Sequence, residues 1–295
     1  MATITIDGME VTDGQTYRHV PENPYDDLAH WSLDSSGNPV GLVGPDGDVI
    51  NIVSAETDPL TGGMVGIQAG ANIYRVPYIL TPLSTQKVIH GLASATYSQT
   101  GTAVTVTCAS HGMTALLNGS QIYLVQSTGA LLSGWFTALT YIDANSFSCT
   151  SSVSQSTSGN LGTNTAETTM WSTTLDAGRL QLDSRVRTEF LFQSNATANN
   201  KTISAKLGAY VYFTNTVSSA AITGHAQSCG FANMGSLSKQ GNLTINYTSG
   251  FGGTTLLPAV GTIDTSASQT LTITMQLANT GDFLALWTGR HMIEP

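Results

Sequence analysis

The sequence has few charged residues, and few of those are basic. Asp, Glu, Lys and Arg make up 10% of its 295 residues, whereas about a quarter is usual in globular domains. Ten Lys and Arg are outnumbered by 19 Asp and Glu, which gives a formal net charge of −9. Nucleic acids and anionic membranes are bound by clustered Lys and Arg. The composition therefore argues against nucleic acid and membrane as partners.

Long hydrophobic runs are also missing. No apolar stretch approaches the ~20 residues that a membrane-spanning helix needs, and the first ten residues, MATITIDGME, lack the pattern of a signal peptide. We therefore expect the protein to fold in a cytoplasm. The three cysteines, Cys108, Cys149 and Cys229, are too few for a disulfide framework. They are predicted to be small buried hydrophobic residues, with a Cys108–Cys149 bond disfavoured in a reducing compartment.

The motifs that usually carry catalysis are absent from the sequence. It contains no GxSxG, HExxH, CxxC or phosphate-binding GxxxxGKS/T pattern. The six histidines are scattered singly. His225 and Cys229 could share a metal ion only on a helix, and their segment is predicted to be a strand or loop. We therefore expect no catalytic residue, no metal site and no cofactor.

The sequence is rich in Ser, Thr, Asn and Gly and has strong β-strand patterns. Residues 270–277 alternate, with Leu271 and Ile273 on one face and Thr270 and Thr272 on the other, which predicts a half-buried strand. Residues 283–287 are apolar on both faces and predict a strand covered on both sides, inside a sandwich or at a subunit contact. No sustained helical period occurs, so the fold class is predicted to be all-β.

The N-terminal part is predicted to be a β-rich docking segment. Residues 1–55 alternate short predicted strands with turns but hold too few apolar residues for a core of their own. This favours a fold that a neighbouring subunit completes. Tyr17, Tyr25 and Trp31 are candidate docking anchors because interfaces favour rigid aromatics, although they could also cap a small local core. Residues 56–86, rich in Gly and Pro, are predicted to be an extended linker.

The rest of the chain is predicted to form two β units. Residues 87–162 predict a small β module with a hairpin turn at residues 143–145. Residues 163–295 hold about eight predicted strands at 8 to 15 residue spacing, as a two-sheet sandwich requires. Four aromatic residues in this unit are candidates for an exposed sugar-stacking or intersubunit surface, the alternative being that they fill the core: Tyr210, Tyr212, Phe251 and Trp287.

Several stretches resemble structural proteins of tailed-bacteriophage virions. The blocks VGTIDTS (260–266), QTLTIT (269–274) and QLANTGD (276–282) resemble the closing strands of a jelly-roll domain common in these proteins, and residues 167–171 and 201–208 resemble its opening and middle. GLVGPDGDVINIV (41–53) is similar to segments near the N-termini of phage tail and fibre proteins. Residues 111–150 resemble a small β module inserted in phage virion proteins, and residues 288–295 extend beyond the usual last strand.

The resemblance implies a non-enzymatic virion structural protein. It implies a homotrimer of the capsid-decoration or head-fibre type, assembled in the host cytoplasm. About the first 85 residues would dock on other virion proteins, with the C-terminal jelly roll and the inserted module facing outward. An alternative is a tail-fibre or receptor-binding subunit that contacts host surface glycans. A glycan-degrading tail enzyme would need two carboxylates across a groove, and a cellular adhesin is disfavoured by the missing secretion signal.

Overall fold

The computed structural model describes residues 79–180, 182, 184–243 and 260–294, together with the backbone of the strands between residues 3 and 78. The chain divides into two compact units, Met1–Tyr78 with Glu294–Pro295, and Ile79–Ile293. The regular elements described are strands, apart from one 3-10 turn at Ala115–Leu117. The all-β fold class predicted from the alternating pattern is therefore confirmed.

The first unit contains two antiparallel arrangements of strands. Strands β1 and β2 form a hairpin, and β3 to β7 form a meander in which each strand pairs with the next. The bounds are β1 (Thr3–Ile6), β2 (Met9–Thr12), β3 (His30–Leu33), β4 (Pro39–Val43), β5 (Val49–Thr57), β6 (Met64–Ala69) and β7 (Asn72–Arg75).

The segment 56–86, predicted to be an extended linker, contains strands. Strands β6 and β7 lie within it, and β5 continues past residue 55. Gly66 stands inside β6, opposite Glu56 on one side and Arg75 on the other. A glycine that is paired on both sides can therefore lie inside a strand of this segment.

The remaining strands follow in chain order. They are β8 (Tyr78–Ile79), β9 (Lys87–His90), β10 (Thr96–Thr107), β11 (Gln121–Gln126), β12 (Gly134–Asp143), β13 (Ser146–Gly162), β14 (Thr168–Leu175), β15 (Arg185–Ser194), β16 (Lys201–Leu207), β17 (Tyr210–Val217), β18 (Gly224–Asn233), β19 (Gln240–Asn242), β20 (Val260–Gly261), β21 (Gln269–Leu277) and β22 (Phe283–Glu294).

Strands β10 to β13 curl into a small barrel. Strand β13 pairs with β10 along most of its length and with β12 at its start, and its end returns to β11 through the pairs Val125–Gly162 and Gln126–Leu161. Strand β11 also pairs with β12, so β11, β12 and β13 form a closed ring, and β10 pairs with β13 outside this ring. The predicted hairpin at residues 143–145 is present, and the Asn145 amide donates to Asp143 Oδ1 at 2.7 Å. Buried apolar side chains such as Val106 and Phe147 fill the interior.

A two-sheet sandwich, consistent with a jelly roll, follows the barrel. One sheet has the order β14-β21-β16-β17, and the other contains β22-β15-β18-β19-β20. The alternation predicted for β21 is confirmed for Leu271 and Ile273, which are fully buried, and for Thr270, which is exposed, whereas Thr274 is buried as well. Aromatic rings meet between the sheets, with Tyr212 and Phe231 at 5.0 Å between ring centroids.

Strand β22 joins the sandwich to the barrel. Its first four residues pair with β9, which in turn pairs with β11, so a continuous sheet runs from one body into the other. Phe283 and Ala285 belong to the apolar core of the barrel. Leu284 and Leu286, on the opposite face, are also fully buried. The prediction of a strand covered on both faces is confirmed for these residues, whereas Trp287 is 38% exposed.

The shared strand predicts that the barrel and the sandwich lose stability together. Phe283→Ala should lower the free energy of unfolding by about 3–5 kcal/mol, since it leaves a cavity in the barrel core beside the strand that both bodies use. Hydrogen-exchange mass spectrometry should show faster exchange in both β11 and β15. Ile142→Ala, at a side chain that is 51% exposed, is the control and should change stability by less than about 0.5 kcal/mol. Faster exchange in β11 alone would contradict the prediction.

Candidate functional site

An open groove crosses the outer face of three neighbouring strands, β22, β15 and β18. Its volume is about 540 Å³, within the usual range of ligand sites. We call this feature the groove. It is lined by Glu189, Phe190, Leu191, Ala226, Gln227, Ser228, Thr288, Gly289 and Arg290.

The groove follows from side-chain alternation along paired strands. In β15, the outward positions include Glu189 and Leu191, whereas Phe190 between them is buried. Strand register places Ser228 opposite Glu189 and Ala226 opposite Leu191. These two small side chains leave open the space beside the long side chains of β15.

An ion cluster joins two lining residues of the groove, Glu189 and Arg290, to Arg187, which lies outside its lining. Arg290 Nε donates a hydrogen bond to Glu189 Oε2 at 2.8 Å, and Arg290 Nη2 lies 2.6 Å from the same oxygen. Arg187 Nε lies 3.3 Å from Glu189 Oε1. The two Arg side chains are 49% and 47% exposed, and exposed ion pairs contribute at most about 1 kcal/mol to stability.

Two of the predicted exposed or intersubunit aromatics, Tyr210 and Tyr212, lie together, with ring centroids 6.4 Å apart. Trp287 is 38% exposed and precedes Thr288 of the groove. Tyr210 is half-buried, and a side chain at Gly261 would collide with its ring at 2.6 Å. Tyr212 is fully buried, so its assignment as an exposed or intersubunit residue was wrong. Phe251 lies outside the described residues.

Tyr212 belongs to a polar link between the two sheets. Its hydroxyl oxygen lies 2.8 Å from Thr188 Oγ1, which lies 2.7 Å from His291 Nδ1. The His291 ring stacks on Trp171 of the opposite sheet at 4.2 Å between centroids. Burial lowers the pKa of His291 to about 3, so the ring is neutral at pH 7. The link is closed to solvent and therefore holds the sheets rather than binding a ligand.

A second buried polar cluster surrounds Asp282, just before β22. Asp282 Oδ1 accepts hydrogen bonds from Thr197 Oγ1 at 2.6 Å and Asn195 Nδ2 at 3.1 Å, and Lys201 Nζ lies 3.8 Å away. Lys201 donates to Thr197 Oγ1 at 2.7 Å and to the Asn199 carbonyl at 3.1 Å. Both charged side chains are 1% exposed. The cluster therefore fixes the turn between β21 and β22 and has no access to a substrate.

The predicted docking anchors cannot be placed on a surface. Tyr17 and Tyr25 lie outside the described residues. Trp31 falls in β3, where the backbone alone is described. Their role in docking stays a prediction.

The three cysteines are free and buried, as predicted. Burial raises the pKa of the Cys149 thiol to about 12. Strand β18 carries both His225 and Cys229, but the His225 ring stacks on Phe192 at 4.6 Å. Within the described part of the chain, no group of three or more His, Cys, Asp or Glu side chains could hold a metal ion. None of the described residues forms a helix long and apolar enough to cross a membrane.

Sequence reasoning missed the ion cluster of the groove. Glu189 was one of several carboxylates that no pattern singled out, and the two Arg residues were not considered. The alternation in RVRTEFLF (185–192) does place Arg187, Glu189 and Leu191 on one strand face. Arg290 comes about a hundred residues later, so nothing local indicated that it would meet Glu189.

The buried histidines predict that the protein loses stability in mild acid. Burial lowers the pKa of His90 to about 4 and that of His291 to about 3, from 6.5. Between pH 6.5 and 4 the unfolded chain binds protons that the folded protein does not, so stability falls as the pH falls. Urea unfolding should give a free energy lower by about 3 kcal/mol or more at pH 4 than at pH 7.

Two variants test whether the buried histidines, and not other titrating groups, cause the loss of stability in acid. His291→Gln should reduce the loss between pH 7 and 4, because the replacement does not titrate. His225→Gln is the control, since this partly exposed ring should contribute less. Equal unfolding free energies at pH 7 and pH 4 in the unmodified protein would refute the interpretation.

Comparisons with known proteins give little further information. No protein-family model and no curated protein matches the sequence. Among solved structures, the chain is similar to a chain from a structure of the infectious bursal disease virus Gx strain, with a TM-score of 0.22 and 11% sequence identity. The match covers 90% of this chain and 62% of the viral chain, so this chain spans less than two thirds of that length. At this TM-score the likeness does not establish a shared fold.

Proposed function

We propose that the protein is a non-enzymatic structural component of a tailed-bacteriophage virion, a homotrimeric subunit of the capsid-decoration or fibre type. The observation that carries the proposal is the continuous sheet from the barrel through β22 into the sandwich. A strand hydrogen-bonded into both bodies fixes their relative geometry. A particle subunit needs such geometry, because it must hold its exposed surfaces at a constant position relative to its neighbours.

Composition supports the same role. The sequence resembles virion proteins over the sandwich, the barrel and part of the first unit, and it is low in charge. Residues 1–86 serve as the docking part in this proposal, with the sandwich and the barrel facing outward. A compact acidic body keeps a subunit soluble before it assembles.

The edge strand β17 supports assembly with further copies. Within the part of the chain that the structure describes, it is the last strand of its sheet and pairs with β16 on one side. Val211 on this strand is 42% exposed. An uncovered strand edge is a template for pairing with another chain, and a trimer contact along β17 would cover it.

A receptor-binding role is the second candidate, and the groove favours it over an enzyme. A glycan hydrolase normally uses two carboxylates on either side of the scissile bond. Among the described residues that line the groove, Glu189 is the one carboxylate, and it is held by two Arg side chains. This arrangement fits binding of a polar ligand better than its hydrolysis.

The structural role predicts that the protein is part of the intact particle. Antibodies against the purified protein, detected by electron microscopy, should label purified virions at regular positions. Quantitative mass spectrometry should find hundreds of copies for a capsid decoration and a dozen or two for a tail subunit, because copy number follows particle symmetry. Labelling absent from disrupted as well as intact particles would refute the proposal.

The oligomeric state and the enzymatic alternative need separate measurements. Light scattering of the purified protein at micromolar concentration should give three times the chain mass of 30.9 kDa, and a monomer would contradict the trimer.

Incubation of the protein with host envelope should release no reducing sugar. Release that is lost in Glu189→Gln would instead support the enzyme.

A further inference from the structure

The start of β16 and the turn before β22 bring an amine and a carboxyl group together inside the protein. Lys201 is the first residue of β16, Asp282 directly precedes β22, and these two strands belong to different sheets of the sandwich. Lys201 Nζ lies 3.8 Å from Asp282 Oδ1, and both side chains are 1% exposed. A buried ion pair has lost the hydration of both of its charges. A reaction that joins the two groups into a neutral one would remove two buried charges at once.

The hydroxyl group of Thr197 connects the lysine to the carboxyl group. Lys201 Nζ donates a hydrogen bond to Thr197 Oγ1 at 2.7 Å, and Thr197 Oγ1 donates to Asp282 Oδ1 at 2.6 Å. A hydroxyl group is both an acceptor and a donor, so it can receive a proton from Nζ while it passes its own proton to Oδ1. This path converts the ammonium and the carboxylate into an amine and a carboxylic acid.

The remaining hydrogen bonds of Lys201 suit the neutral amine. Nζ also donates to the carbonyl oxygens of Thr197 at 3.3 Å and of Asn199 at 3.1 Å. An ammonium group has three N–H donors. When one proton has left through the Thr197 hydroxyl, the two that remain keep these carbonyl partners and the nitrogen has a free lone pair. Burial also lowers the pKa of Lys201, against the opposing effect of Asp282.

The two oxygens of Asp282 have different surroundings. Oδ1 accepts hydrogen bonds from Thr197 and Asn195, whereas Oδ2 is buried without a hydrogen-bond partner among the described residues. An unpartnered oxygen in an interior costs more free energy when it is charged than when it belongs to a neutral amide. Loss of Oδ1 as water would leave Oδ2 as such an amide oxygen.

We propose that Lys201 and Asp282 condense to an amide, a covalent cross-link between the two sheets of the sandwich. After the first proton transfer, rotation of the flexible lysine stem brings Nζ to Asp282 Cγ, and the nitrogen lone pair forms the new N–C bond. A second proton then passes from Nζ through Thr197 to Oδ1. The Cγ–Oδ1 bond breaks with its electron pair on the oxygen, and one water molecule leaves. The reaction needs no oxidant and no cofactor.

Such an amide would do for this protein what a disulfide does in others. All three cysteines are free, so no disulfide supplies a cross-link. The amide would close a loop of about 80 residues, and a cross-link of that span stabilises a fold by reducing the freedom of the unfolded chain. The inference goes beyond the proposed structural role and does not depend on it.

Intact-mass spectrometry of the denatured full-length protein tests the cross-link. We expect a mass that is lower than the mass calculated from the sequence by one water molecule. Proteolysis should then yield a branched peptide that joins residue 201 to residue 282. A cyclic imide at an aspartate also loses one water molecule but gives no branched peptide. The full calculated mass, or a dehydrated protein without the branched peptide, would overturn the proposal.

Two lysine variants assign the reaction to the buried pair. Lys201→Arg should have its full calculated mass, because a guanidinium group does not form this amide. Lys206→Arg is the matched control, since Lys206 Nζ lies only 2.7 Å from Glu167 in a more exposed ion pair, and this variant should still lose one water molecule. Loss of water in Lys201→Arg, or the full mass in Lys206→Arg, would overturn the assignment. The unmodified protein carries the decisive measurement, so the test does not depend on the folding of a variant.

A third variant tests the route of the protons. Thr197→Val keeps the shape of the side chain and removes the hydroxyl group, so most of the purified variant should have its full calculated mass. Circular dichroism checks that the variant is folded. Complete cross-linking of folded Thr197→Val would overturn the role of this hydroxyl group in the reaction.

Discussion

Strand β22 takes part in two apolar cores, and the described part of the second unit depends on that sharing. Its first residues pair with β9 and place Phe283 and Ala285 in the barrel, while its later residues place Gly289 and His291 against Trp171 in the sandwich. Neither body can shift along the strand without unpairing backbone groups, which are costly to leave unsatisfied in an interior. The barrel is therefore a fixed extension of the sandwich, not a domain on a flexible tether.

Polar groups near the two ends of β22 reinforce this arrangement. Asp282, just before the strand, is held by Thr197, Asn195 and Lys201, and His291, near its end, is joined through Thr188 to Tyr212. Partners replace water at Asp282 Oδ1 and His291 Nδ1, whereas Asp282 Oδ2 and His291 Nε2 are buried without a hydrogen-bond partner among the described residues. Both clusters therefore require a defined register of β22 against its neighbours. They specify that register, because apolar residues alone would allow the strand to shift along its partners.

The sequence allowed local structure to be predicted better than contacts between distant strands. The alternation at 270–277 and the apolar run at 283–287 are local patterns that indicate a strand without knowledge of its partners. Both strands were predicted correctly, apart from the burial of Trp287. The pairing of β9 with β22 joins residues almost two hundred positions apart and leaves no local signal. The burial of Tyr212 was missed for a related reason. The residues around it in the sequence do not show which face of its strand packs against the second sheet.

The groove depends on the same alternation that builds the core. In β22, Gly289 and His291 point toward Trp171, so Thr288 and Arg290 point outward, where Arg290 meets Glu189. A shift of one residue would exchange these faces. It would bury the guanidinium and bring the neutral imidazole, whose pKa burial lowers to about 3, to the surface. Trp287, on the same strand face as Gly289, and Thr288, on the opposite face, are both exposed. The phase of β22 after this point thus decides whether Arg290 lies in the groove, and the core contacts of His291 maintain it.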